Sequence, residues 1–78
     1  GFEEGSMHDI VISPNPANEK IEFNAQLDNL IIYNTYGQIV YRGNGPHNFV
    51  DVSGFVEGSY FVKGYVNQIP VIKHFTKL

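Results

Sequence analysis

The sequence predicts an all-β domain, a small antiparallel sandwich of about seven strands. Three observations predict it. Short apolar stretches rich in β-branched and aromatic residues recur along the chain. Turn residues separate them at short spacing, and no segment sustains the 3.6-residue period of a stable helix. With 78 residues there is room for one domain, and at this size only about 60% of the unfolded surface can be buried.

In chain order, Ile10-Val11-Ile12 is the first strand, stopped at Ser13-Pro14-Asn15-Pro16 because proline has no N–H to give a ladder. Ile21 and Phe23 alternate with Glu22 and Asn24, the period of a half-buried strand. Asp28-Asn29 then precedes a separate strand, Leu30-Ile31-Ile32-Tyr33. Asn34-Thr35-Tyr36-Gly37 reads as a turn in which Gly37 supplies a positive φ, and Gln38 to Arg42 is the returning strand. Gly43-Asn44-Gly45-Pro46 is a loop leading to Asn48–Val52, and the connection Ser53–Gly58 has room for one helical turn. Tyr60 to Val66 is the longest strand, with Tyr60 and Val62 on one face and Phe61 and Tyr65 on the other. Asn67-Gln68 makes the last hairpin, Pro70 is tolerated at a strand start or edge, and Val71 to Lys77 closes the sheet. The layout is that of an immunoglobulin-like sandwich. Residues 1–7 read as a linker or cloning remnant at the end of a longer protein, and the domain as residues 8–78.

Composition narrows the function. Apolar residues make up 42% and charged residues 17%, a folding composition rather than a disordered one. A net charge of −3 argues against nucleic acid, whose phosphates need clustered Lys and Arg. The charge is uneven: residues 1–57 hold all eight acids, while 58–78 hold Lys63, Lys73 and Lys77 and no acid. That asymmetry reads either as the basic edge of a sandwich or as a recognition tail. There is no cysteine, hence no disulfide and no thiolate metal site. No apolar run reaches the ~18 residues of a membrane span.

Catalytic chemistry finds no pattern. His8, His47 and His74 are far apart, and His8 and Asp9, as strand neighbours, face opposite ways, so no metal or other cofactor is expected. Asp51 and Ser53 share a strand face, but no Gly-x-Ser-x-Gly elbow accompanies them. Glu3 and Glu4 fall in the tail, and Glu19 and Glu22 lack a cleft to hold a sugar between them. Gly43 and Gly45 precede no helix on which phosphate would sit. The structural rival is a glycan-binding or adhesive module using Tyr33, Tyr36, Tyr41, Tyr60 and Tyr65, although core packing explains most of these positions as well.

Four segments in order carry a family resemblance. They are Ser13-Pro14-Asn15-Pro16-Ala17-Asn18, then Ile32-Tyr33-Asn34-Thr35-Tyr36-Gly37-Gln38-Ile39-Val40, then Val52 to Lys63, and last the basic stretch Lys73-His74-Phe75-Thr76-Lys77-Leu78. Across residues 9–78 the chain resembles the type A C-terminal sorting domain of the type IX secretion system of Bacteroidetes bacteria. The resemblance implies a non-enzymatic sorting signal fused behind a cargo protein. The resemblance further implies that the cargo crosses the inner membrane under its own signal peptide, that the domain is then read in the periplasm by the outer-membrane translocon, and that a sortase-like peptidase removes it as the cargo reaches the cell surface or medium. Pro14, Asn15 and Pro16 match the family's opening motif, Gly37 its hairpin glycine, and Gly58, Tyr60, Phe61 and Lys63 its penultimate strand. Lys63, Lys73, His74, Phe75, Thr76, Lys77 and Leu78 are the expected translocon-recognition residues. The four turn residues Pro14, Pro16, Gly37 and Gly58 also have a purely geometric reading. An exposed edge strand would in addition offer β-augmentation to a receptor.

Overall fold

The structure, a computed structural model, describes residues 10–78, so the expectations for His8, Asp9, Glu3, Glu4 and the segment 1–7 lie outside the described residues. Six strands follow one another: β1 (Ile12–Ser13), β2 (Lys20–Asn34), β3 (Ile39–Gly43), β4 (His47–Asp51), β5 (Gly58–Val66) and β6 (Ile69–Lys77). Every strand-to-strand pairing is antiparallel. The all-β antiparallel expectation therefore holds, and the arrangement is compatible with an immunoglobulin-like sandwich.

The count is six rather than seven because two expected strands are one. Ala25-Gln26-Leu27 stays extended, so the stretch around Ile21 and the stretch around Ile31 join in the 15-residue β2. Its first half lies between β1 and β4, and its second half between β3 and β5, with β6 beyond β5. The junction is a bulge. Asp28 pairs with Tyr65 and Ile31 with Lys63, so β2 spends one residue more than β5 over the same step. Asn29 takes the extra turn in the left-handed region, at φ 51°, which Asn tolerates better than most residues.

That single extra residue flips the inward parity of β2. Before it, Ile21, Phe23 and Leu27 are buried at odd positions; after it, Leu30 and Ile32 are buried at even ones. Both halves thus face one core, in which Ile12, Val50 and Val52 meet Tyr60, Val62, Val71 and Phe75. Tyr60 and Phe75, paired across β5 and β6, stack with ring centroids 5.4 Å apart. Phe55 packs on the other side of Tyr60 at 5.2 Å, and the Tyr60 hydroxyl donates to the Val56 carbonyl. The segment Ser53–Gly58 is therefore held as a hydrogen-bonded turn, with the Phe55 amide donating to Val52 at 2.9 Å, and not as a helical turn.

The hairpins form where turn chemistry predicts them. Asn34 accepts from the amides of Tyr36 and Gln38 through its side chain, at 2.9 and 3.0 Å, and Gly37 closes the turn at φ 82°. Asn67 and Gln68 both have positive φ, 51° and 69°, the backbone of a two-residue turn whose twist matches the strands. Pro70 lies on β6, an outer strand, where no ladder N–H is missed.

Close packing at the bulge sets a test. A Cβ placed on Gly64 would lie 2.7 Å from Leu27 Cδ2, 3.1 Å from Leu27 Cβ and 3.4 Å from the Asp28 carbonyl. Leu27 is buried at 1% exposure and has nowhere to retreat. Alanine removes the entropic cost of a strand glycine, about 0.5–1 kcal/mol, but overpacking costs about 1–3 kcal/mol. The clash wins, and Gly64→Ala is expected to destabilise the domain by about 1–2 kcal/mol in chemical denaturation.

Candidate surface for recognition

Strand β6 carries the basic terminal stretch, and its two sides differ. One edge pairs with β5 along its whole length, from Val66–Ile69 to Gly58–Lys77. The other edge is partly covered by the segment that contains Pro14, Asn15 and Pro16. The Ala17 amide donates to the Thr76 carbonyl at 2.7 Å, and the Leu78 amide donates to the Ala17 carbonyl at 2.8 Å. Asn15 extends the cover with its side chain: Oδ1 accepts from the Thr76 amide at 3.0 Å, and Nδ2 donates to the His74 carbonyl at 3.4 Å. Both prolines follow cis peptide bonds.

This cover restricts strand addition. Even-numbered residues of β6 turn their backbone groups away from β5, as the bonds of His74, Thr76 and Leu78 to the Asn15–Ala17 segment demonstrate. Pro70 has no N–H to offer. Among the described residues, Ile72, the His74 amide and the Pro70 carbonyl lie outside the cover, so the edge these residues leave open to β-augmentation is a few residues long.

Parity along β6 sorts the expected recognition residues. Val71, Lys73, Phe75 and Lys77 share the inward side, and Phe75 is wholly buried in the core. Lys77 is also buried, at 7% exposure; its stem packs inward and its ammonium donates to the Leu78 carbonyl at 2.8 Å. Lys73 is half-buried opposite Val62, and Thr76 is half-buried under the Asn15 contact. His74 and Leu78 are exposed, and Ile72 more so than most apolar residues, at 64%. On β5, Tyr60 belongs to the core, while Phe61 and half-buried Lys63 face outward. Gly58 opens β5 at φ 146°.

The outward face is a layered surface. Tyr33, Phe61 and His74 form one cross-strand row, with Phe61 and His74 rings 5.5 Å apart. Arg42, Ile31, Lys63 and Ile72 form the next row. The structure therefore gathers Lys63, His74 and Phe61 on one face and sends Phe75 and Lys77 to the other. Sequence reasoning missed Arg42, which the β2–β3 register adds to this face, and the covering role of Asn15, which joins residues 59 and 61 positions apart.

The remaining candidates disperse. Tyr60 is core, Tyr36 is 87% exposed in a turn, and Tyr41 lies edge-on to His47, so these three do not share a platform. Asp51 accepts from the Ser53 amide at 2.9 Å, and this bond, with a further one to the Ser53 side chain, holds its carboxyl below the usual 3.8. The pair is a local turn bond. Among the described residues, no three His, Asp or Glu side chains cluster closely enough to hold a metal ion.

A family model described as a secretion system C-terminal sorting domain matches residues 11–77. The chain belongs to that family, whose members serve type IX secretion as sorting signals, and which is not a family of enzymes. No curated protein sequence and no solved structure gives a significant match.

The Asn15 cover is testable by itself. Asn15→Ala removes two side-chain bonds at an exposed position, one of them long, for an expected loss of about 1 kcal/mol. Hydrogen exchange should quicken at the Thr76 amide, which loses its acceptor, and remain slow at the Val62 amide in the core.

Proposed function

We propose that this sorting domain directs an attached cargo protein through the type IX outer-membrane translocon by presenting the outward face of β5 and β6 as a folded recognition surface. Lys63, His74 and Leu78 make contact with the translocon from that face, whereas Lys73, Phe75 and Lys77 on the inward side, and Thr76 under the Asn15 contact, serve by holding the strand in place. The observation that carries this reading is the sorting of β6 by parity. Its exposed residues form one surface with Lys63, and its outer edge is occupied by Asn15 and Ala17 over the last residues. A receptor that read this stretch as an added strand would have to displace that cover; a receptor that read side chains would not.

In this reading the domain is a substrate of the export machinery. A sortase-like peptidase removes it once the cargo has crossed. The cargo passes through the periplasm and ends at the cell surface or in the medium. Pro14, Pro16, Gly37 and Gly58 act through the turns they form.

The test is an export assay on a fluorescent reporter that carries an inner-membrane signal peptide at its front and residues 8–78 behind it. Surface and medium fluorescence are compared in a host with an intact type IX system and in a translocon-deficient mutant. Export only in the intact host is the expected result. Periplasmic retention in both strains, with the domain folded, would remove the sorting reading.

A further inference from the structure

Beside the bulge of β2, the outward face is indented by a groove of about 330 Å³. Arg42, Ile31, Lys63, Tyr65, Asn29 and Asn44 line it. Its geometry follows from register. Ile31 pairs with Arg42 on one side and Lys63 on the other, so the two cations flank one apolar side chain in a single cross-strand row. At about 4.8 Å per strand their Cα atoms stand roughly 10 Å apart, and both side chains are long enough to lean over Ile31. Left-handed Asn29 brings a polar residue to one end of the groove, and Asn44 of the β3–β4 loop brings another.

Neither cation has an ion-pair partner among the described residues, where the ion pair that forms is Lys20 with Glu22 at 3.1 Å. Asp28, the acid on this face beyond the bulge, does not line the groove and pairs with neither. Two unpartnered cations on one small surface of a chain with net charge −3 are a local reversal of sign, complementary to an acidic ligand. Their spacing selects the form of that ligand. Residues i and i+2 of an extended peptide project to the same side about 7 Å apart, so two such carboxylates reach Arg42 and Lys63 while their methylenes rest on Ile31 and Tyr65. Arg42 supplies a planar fork that suits a carboxylate, and Lys63 a point charge.

We propose that this groove binds an extended acidic peptide segment of the Glu-x-Glu type, with Arg42 and Lys63 as its two carboxylate anchors. The inference builds on the recognition role given to Lys63, adding Arg42 and a ligand class. Its test reads binding to a free peptide and does not depend on export.

The isotope-labelled full chain is titrated, with amide shifts recorded by NMR, against acetyl-Gly-Glu-Val-Glu-Gly-amide and against the same peptide with Gln in place of both Glu residues. Sodium phosphate is a third arm. The expected result is saturable shifts at Asn29, Arg42 and Lys63 with the acidic peptide alone, weakened severalfold by raising the salt from 0.1 to 0.5 M. Arg42→Gln and Lys63→Gln should each weaken binding about 3–5-fold, and Lys20→Gln, on the other half of the molecule, should leave it unchanged. Preserved spectral dispersion identifies the variants as folded. No saturable shift with the acidic peptide would overturn the proposal. So would equal binding of the Gln peptide, or phosphate binding as tight as the peptide's, which would make the groove a general anion cradle.

Discussion

One extra residue in β2 organises the molecule. The bulge at Asp28–Asn29 lets a single strand serve β1 and β4 with its first half and β3 and β5 with its second, while both halves keep their apolar residues inward. Without the parity change, Leu30 and Ile32 would turn to solvent, and the core that holds Tyr60, Val62 and Phe75 would lose one wall. Gly64 belongs to the same constraint, because Leu27 fills the space that a side chain there would need. The bulge also opens the groove beside Arg42 and Lys63, so one local irregularity serves both the core and the outward surface.

The terminal stretch gains its shape from a contact that crosses the whole chain. An asparagine between two prolines at one end of the sequence meets the backbone of β6 at the other, and Ala17 completes the cover from both sides. Outer strands invite pairing with other chains, and this one is protected over its last residues by cover and at its start by Pro70. Membership of the sorting-domain family and this protected edge fit together. A sorting signal attached to a cargo benefits from a fold that does not pair with neighbouring chains.

Much of this was legible in the sequence, and the exceptions have physical causes. Gly37 and Asn67-Gln68 announce turns because positive φ is a local demand that residue type reveals. The alternation of Tyr60, Phe61 and Val62 announces which face of β5 is inward. Asp28-Asn29 was misleading: those residue types usually end a strand, and only tertiary pairing makes them a bulge within one. The burial of Lys77 and the helper role of Asn15 were hidden for the same reason, since both depend on partners brought together by folding. The tyrosines divided as packing would have them, with Tyr60 inside and Tyr36 in a turn.

The proposed division of β6 between residues that hold the strand and residues that meet the translocon is tested most directly by a paired measurement on export and stability. Phe75→Ala empties a fully buried site and should cost about 3–5 kcal/mol, lowering export and thermal stability together. Lys63→Ala combined with His74→Ala removes outward side chains and should lower export severalfold while leaving the melting temperature within a few degrees of the parent. Normal export of the folded Lys63 and His74 double variant would contradict the proposed recognition role, because the outward face would then not be what the translocon reads.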